Sequence, residues 1–140
     1  EYRRRVSPSG AARQWLMLAA DTVVSVDGLI LDKPETAGDA EDMIRRLSGR
    51  THSVFTAVVM TGPSGPLRIE EVAHTHVTFC ALGPREVEWY LRSGQWQDVA
   101  GGYRIQGLAA SFVTRIDGSY SAVMGLPIHT VYSMIKRLSS

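Results

Sequence analysis

The sequence predicts a single domain of the α/β class, with α+β as the alternative arrangement, and three patterns predict it. β-rich runs alternate with stripes of helical period along the chain. Turn signals fold neighbouring runs into hairpins, one of them long. Neither repeats nor low-complexity tracts interrupt the alternation. At 140 residues the chain can bury roughly two-thirds of its unfolded surface in one core. Its 44% hydrophobic and 21% charged residues are ordinary for a globular protein. A net charge of +1 gives no case for a nucleic-acid polymer or an acidic membrane as partner. One cysteine, Cys80, excludes an internal disulfide framework and fits a reducing cytoplasm. No apolar run approaches the roughly eighteen residues of a membrane span, and no signal peptide is visible.

Residues 1–14 read as a basic leading segment with the composition of disorder. They carry Arg3-Arg4-Arg5 and a Ser7-Pro8-Ser9-Gly10 loop. Residues 15–140 read as the domain. Trp15 to Ala20 is an apolar run of buried-strand length that ends on Asp21-Thr22. Val23, Val24 and Val26 continue extended, Asp27-Gly28 signals a hairpin turn, and Leu29-Ile30-Leu31 returns. That return brings Lys33-Pro34 back towards Asp21. A helix opens at Thr36 with Asp39 as capping-box partner, carries Ala40, Met43, Ile44 and Leu47 on one stripe, and stops at Gly49. His52 to Met60 reads as a central strand and Leu67 to Phe79 as its partner, joined by the loop Thr61 to Pro66. Pro84 starts a second helix with Val87, Tyr90 and Leu91 inward. After the loop Ser93 to Gly102 come the Gln106-Gly107 block and a strand at Phe112 to Ile116. A final helix follows Pro127, with Ile128, Val131, Met134, Ile135 and Leu138 as its stripe.

Asp21 is the leading candidate for chemistry. At a strand end its carboxylate could bind a divalent cation through oxygen and help deprotonate water. A turn aspartate bonded to nearby backbone amides is the plainer alternative, and the residue alone favours it slightly. Lys33 lies twelve residues on and could neutralise a phosphate, or be an exposed edge lysine. The Gln106 amide offers donor and acceptor together and could pair with the edge of a pyrimidine ring, or cap backbone groups at a strand end. Glu70, Glu71 and Asp98 could add metal ligands, but no spacing fixes them. His74-x-His76 puts two imidazoles on one strand face, a geometry zinc can use, without a third ligand in view. No nucleophile-elbow, P-loop or zinc-protease motif is present.

Six ordered blocks carry a family resemblance. They are Ala20-Asp21-Thr22, Asp27-Gly28, Lys33-Pro34, Leu47-Ser48-Gly49-Arg50-Thr51-His52, Ile105-Gln106-Gly107 and Gly118-Ser119-Tyr120. From about Trp15 to Leu138 the chain resembles the Maf family of nucleoside triphosphate pyrophosphatases. The resemblance implies an ITPase-like mixed, twisted sheet flanked by helices, a homodimer, and a cytoplasmic enzyme. It implies release of pyrophosphate from a nucleoside triphosphate with Mg²⁺ or Mn²⁺ as cofactor. Asp21 then matches the proton acceptor and metal ligand, and Lys33 a phosphate-neutralising cation. Thr22 and Gln106 match positions that influence substrate choice, in the dTTP/UTP-like pattern. Family members also carry an N-terminal strand and a Ser-x-Ser-Pro-Arg-Arg phosphate loop tens of residues before the Ala-Asp-Thr block. Only twenty residues precede Asp21 here, so that segment is expected to lie outside the chain, and its roles are not carried onto Arg3, Arg4 or Arg5. Val99 replaces a lysine frequent in the family. These two departures keep open a catalytically impaired nucleotide-binding or dimerising module, and a pyrophosphatase of the 7-methyl-GTP type is the other alternative.

Overall fold

A computed structural model describes residues 15–62 and 67–138. The leading basic segment with Arg3, Arg4 and Arg5 and the tip of the loop after Thr61 lie outside the described residues. Five strands form one sheet: β1 Met17–Val26, β2 Leu29–Leu31, β3 Thr51–Thr61, β4 Arg68–Phe79 and β5 Val113–Asp117. Their order is β2-β1-β3-β4-β5, and every pairing is antiparallel. The helices are α1 Ala37–Leu47, α2 Pro84–Arg92, the short α3 Tyr120–Met124 and α4 Ile128–Leu138, with 3₁₀ turns at Ala100–Gly102 and Leu108–Phe112. The expected mixture of strands and helices is therefore present, and its sheet is antiparallel throughout the described residues.

Local chemistry sets the boundaries. The β1–β2 turn places Asp27 at φ 48° and Gly28 at φ 77°, the mirror-image turn that matches strand twist. The Asp27 carboxylate also takes Arg50, tying the hairpin to the start of β3. At α1, Thr36 Oγ1 accepts from the Asp39 amide at 3.1 Å and the Asp39 carboxylate accepts from the Thr36 amide at 2.9 Å. Those bonds hold the Asp39 carboxyl below its usual range. Gly49, at φ 66°, ends the helix, and its amide bonds the Cys80 carbonyl.

The pleat divides the sheet cleanly. Val24, Val26, Val54, Val77 and Phe79 face Ile44 and Leu47 of α1 and Val87 and Tyr90 of α2. Val58 and Met60 face Met134 of α4. Both clusters lie on the same face of the ladder. On the opposite face no helix among the described residues covers the sheet, and Met17 and Val72 are exposed there.

Three expectations need correction. Trp15 to Ala20 is not a buried strand: these residues are exposed, because among the described residues β1 has β3 as its one neighbour over Met17–Val23. Nor does the strand stop at Asp21. It continues to Val26, so Asp21 stands mid-strand on an open edge. The α4 stripe is also narrower than its period suggests, with Ile128 and Ile135 exposed and Met134 alone fully buried.

An aromatic box closes the core. The His52 ring meets Phe79 and Tyr103 edge-on at 5.2 and 5.4 Å, and its Nε2 lies 2.6 Å from the Tyr103 hydroxyl. Nδ1 of His52 is buried with no hydrogen-bond partner. Burial lowers the His52 pKa from 6.5 to about 4. The imidazole is thus neutral in the fold, while the unfolded chain protonates it below pH 6.5. Its contribution is full above that pH and is lost as pH falls towards 4, a change of roughly 3 kcal/mol. Thermal melts between pH 7 and pH 4 should show this decline. His52→Phe should flatten it even if it lowers the melting temperature at pH 7.

Candidate active site

A cleft of about 250 Å³ opens beside the unpaired edge of β1. Five segments line it: Asp21, Thr22 and Val24 of β1, Lys33 after β2, Val54 of β3, the stretch Asp98 to Tyr103, and Val123 to Gly125 at the end of α3. Of the residues singled out from sequence, Asp21, Thr22 and Lys33 therefore share one cavity, joined by Asp98. Gln106 is exposed and stands outside this lining. Val99, the departure from the family pattern, is in the lining and brings no charge.

One Asp21 oxygen accepts from the Thr22 amide at 3.0 Å, on a stretch of β1 that only β3 borders among the described residues. The turn-type bond weighed for this residue is thus present, and its second oxygen has no hydrogen-bond partner among the described residues. Lys33 is exposed and forms no ion pair among them. Two carboxylates and one ammonium give the lining a net charge of −1 from Asp21, Asp98 and Lys33.

The Asp98 to Tyr103 stretch is fixed at several points. Asp98 takes φ 58°, and Gly101 and Gly102 take 71° and 74°. The Gly101 amide donates to the Asp32 carbonyl at 3.2 Å, next to Lys33. The Tyr90 hydroxyl donates to the Gly102 carbonyl at 2.8 Å. Burial raises the Tyr90 phenol to about 12 and pushes that of Tyr103 higher still, so both stay protonated donors. Arg104 reaches back to the carbonyls of Gln95 and Gln97 at 2.6 and 2.9 Å. Sequence reasoning missed Tyr103 and the α3 wall. The signals for them were the consecutive glycines at 101 and 102 and Gly125 at φ 116°, positions that favour glycine.

The remaining candidates lie elsewhere. Glu70 pairs with Arg68 and Glu71 with Arg137. His74 stacks on Phe55 with centroids 4.2 Å apart and bonds Ser53. No group of three or more His, Cys, Asp or Glu among the described residues is placed to hold a metal.

An antiparallel sheet with a cleft at its edge is the setting of the site, and the chain belongs to the family of Maf-like proteins, which it matches over residues 3–138. A dTTP/UTP pyrophosphatase of Chelativorans sp. is 45% identical over 131 residues, covering 94% of this chain and 62% of that relative. One from Pseudoalteromonas atlantica is 46% identical over 128 residues, covering 91% and 66%. Another from Brucella abortus is 47% identical over 120 residues, covering 86% and 57%. The chain thus spans roughly three-fifths of the length of these curated relatives.

The loop geometry gives a direct test. A Cβ on Gly101 would stand 3.0–3.2 Å from the Val24 side chain, whereas one on Gly49 would meet only ordinary contacts at 3.7 Å. Both have similar positive φ. Gly49→Ala should cost the backbone strain alone, about 1–3 kcal/mol. Gly101→Ala should lower the melting temperature further, and equal losses would show that Val24 yields without cost.

Proposed function

We propose that this protein hydrolyses a nucleoside triphosphate of the dTTP or UTP class to the monophosphate and pyrophosphate. The observation that carries the reading is the convergence of Asp21, Thr22 and Lys33 on one cleft, in a chain whose relatives are named dTTP/UTP pyrophosphatases. Water attacks the α-phosphorus, the bond from that phosphorus to the bridging oxygen breaks, and pyrophosphate leaves. Asp21 takes the proton from water through its free oxygen while the Thr22 amide holds the other. Lys33 offsets charge on the phosphates as a flexible ammonium.

The donor set fits a divalent cation. Mg²⁺ is commonly held by one or two carboxylates plus substrate phosphates, and Asp21 and Asp98 provide that pair of oxygen-bearing side chains. Mg²⁺ or Mn²⁺ bound there would supply the positive charge that a lining of net charge −1 lacks. At about 250 Å³ the cleft falls below the roughly 300–1,000 Å³ of complete small-molecule pockets, so it is read as part of a larger site. Thr22 inside the cleft and Gln106 on the exposed turn beyond Tyr103 are the base-reading residues of this proposal. A cytoplasmic homodimer belongs to the same reading, supported by the lone Cys80 and by the uncovered sheet face. Among the described residues no helix is long and apolar enough to cross a membrane.

Asp21→Asn is the decisive variant. It keeps the size and the acceptor for the Thr22 amide but loses the base. Pyrophosphate release should fall roughly a hundred- to ten-thousand-fold with the far-ultraviolet spectrum unchanged. Near-normal turnover by the folded variant would sink the assignment. For base choice, Gln106→Ala should flatten the preference for UTP over purine triphosphates more than it lowers the maximal rate on UTP.

A further inference from the structure

The Thr22 hydroxyl has a donor–acceptor sense that its neighbours decide. Thr56, fully buried on β3, stands opposite Thr22 in the ladder, with the two Oγ1 atoms 2.9 Å apart. Thr56 Oγ1 also lies 2.7 Å from the carbonyl oxygen of Ala122 on α3. A carbonyl can only accept, so the single Thr56 proton goes to Ala122. In the Thr22–Thr56 bond Thr56 must then accept and Thr22 must donate. Thr22 keeps lone pairs and no proton for anything else. Its Oγ1 is close to the cleft wall: a Cβ on Gly125, a lining residue, would stand 3.8 Å away.

We propose that Thr56 is a specificity-determining positioning residue, which commits the Thr22 proton and so makes Thr22 an acceptor-only contact for the base. An acceptor at that point suits the ring N–H of uracil or thymine. It disfavours cytosine, whose corresponding ring nitrogen carries a lone pair. Facing lone pairs leave both groups unpaired in a part-buried place, which is the expensive kind of mismatch. The inference rests on the pyrophosphatase reading and adds to it the origin of discrimination within the pyrimidines. Thr56 does not line the cleft itself. It acts through Thr22, and the Thr56–Ala122 bond fixes α3 and the sheet as one frame around that hydroxyl.

The test is the ratio of kcat/KM for UTP over CTP, measured by pyrophosphate release with the full chain. Titration calorimetry with the non-hydrolysable α,β-methylene analogues of both nucleotides gives the same ratio as affinities. Thr56→Val removes the hydroxyl at nearly constant shape and frees the Thr22 proton to serve a cytosine nitrogen. The UTP preference should fall about tenfold or more, the scale of one mismatched hydrogen bond. Thr56→Ser restores the hydroxyl and should restore the ratio, which a merely structural loss would not predict. Thr56→Ala removes the same group should Thr56→Val fail to fold. Equal handling of UTP and CTP by the unmutated protein overturns the inference, as does a ratio that Thr56→Val or Thr56→Ala leaves unmoved. In those cases UTP turnover or binding still supports the pyrophosphatase reading. Absence of both turnover and binding for every nucleotide removes the reading and the inference together.

Discussion

The contact on which the site depends most is the seating of the Ala100–Gly102 turn against the β1–β2 hairpin. Gly101 lies so close to Val24 that a Cβ there would stand 3.0–3.2 Å from the valine side chain, and the Gly101 amide bonds the Asp32 carbonyl. One glycine thus fixes the distance between two chain segments far apart in sequence. Asp21 and Thr22 arrive on one of them and Asp98 on the other, while Lys33 follows the bonded Asp32. Tyr90 and the His52–Tyr103 pair hold the same turn from beneath. These supports are buried, where a hydrogen bond is worth more and its loss costs more. Asp98 thus rides on a loop that these bonds tie to the sheet and to α2, while Asp21 and Thr22 are held by β1 itself.

The second frame is the β3–β4 hairpin, the longest ladder of the sheet. Among the described residues it receives helices on one face only. Thr56 and Thr75 interrupt the apolar row on that face, and each hydroxyl is matched to a backbone group: Ala122 for Thr56, Ser119 for Thr75. Buried threonines in place of valines therefore mark where α3 docks. Ser119 caps that short helix by accepting from the Ala122 amide at 3.2 Å. A five-residue helix is marginal alone, and these docking bonds substitute for length.

Much of this was legible in the residues. Thr36 and Asp39, Asp27-Gly28, Pro84 and Gly49 declare their turns and caps through local chemistry, and the structure keeps each of them. The sharing of a cleft by Asp21 and Lys33 followed from hairpin geometry. What could not be read was the status of the β1 edge. An apolar run looks the same whether a neighbour strand covers it or not, because periodicity reports side-chain pattern and not pairing. The end of that strand was misplaced for a related reason: Asp21-Thr22 looks like a stop, yet antiparallel pairing with Ala57 and Thr56 carries β1 through both residues. Asp98 was equally opaque. Its place depends on positive φ at Asp98, Gly101 and Gly102, which no spacing rule encodes. The Thr22–Thr56–Ala122 chain joins residues up to a hundred positions apart, and only tertiary structure reveals it.

Among the described residues, Met17 to Thr22 present one side of β1 without a neighbour. An open strand edge of that kind offers its backbone groups to another extended segment, from the same chain or from a second one. Asp21 stands on it, so a segment that paired there would also become a wall of the cleft. Cleft and strand edge are therefore one surface, and whatever extends the sheet at this side also encloses the site.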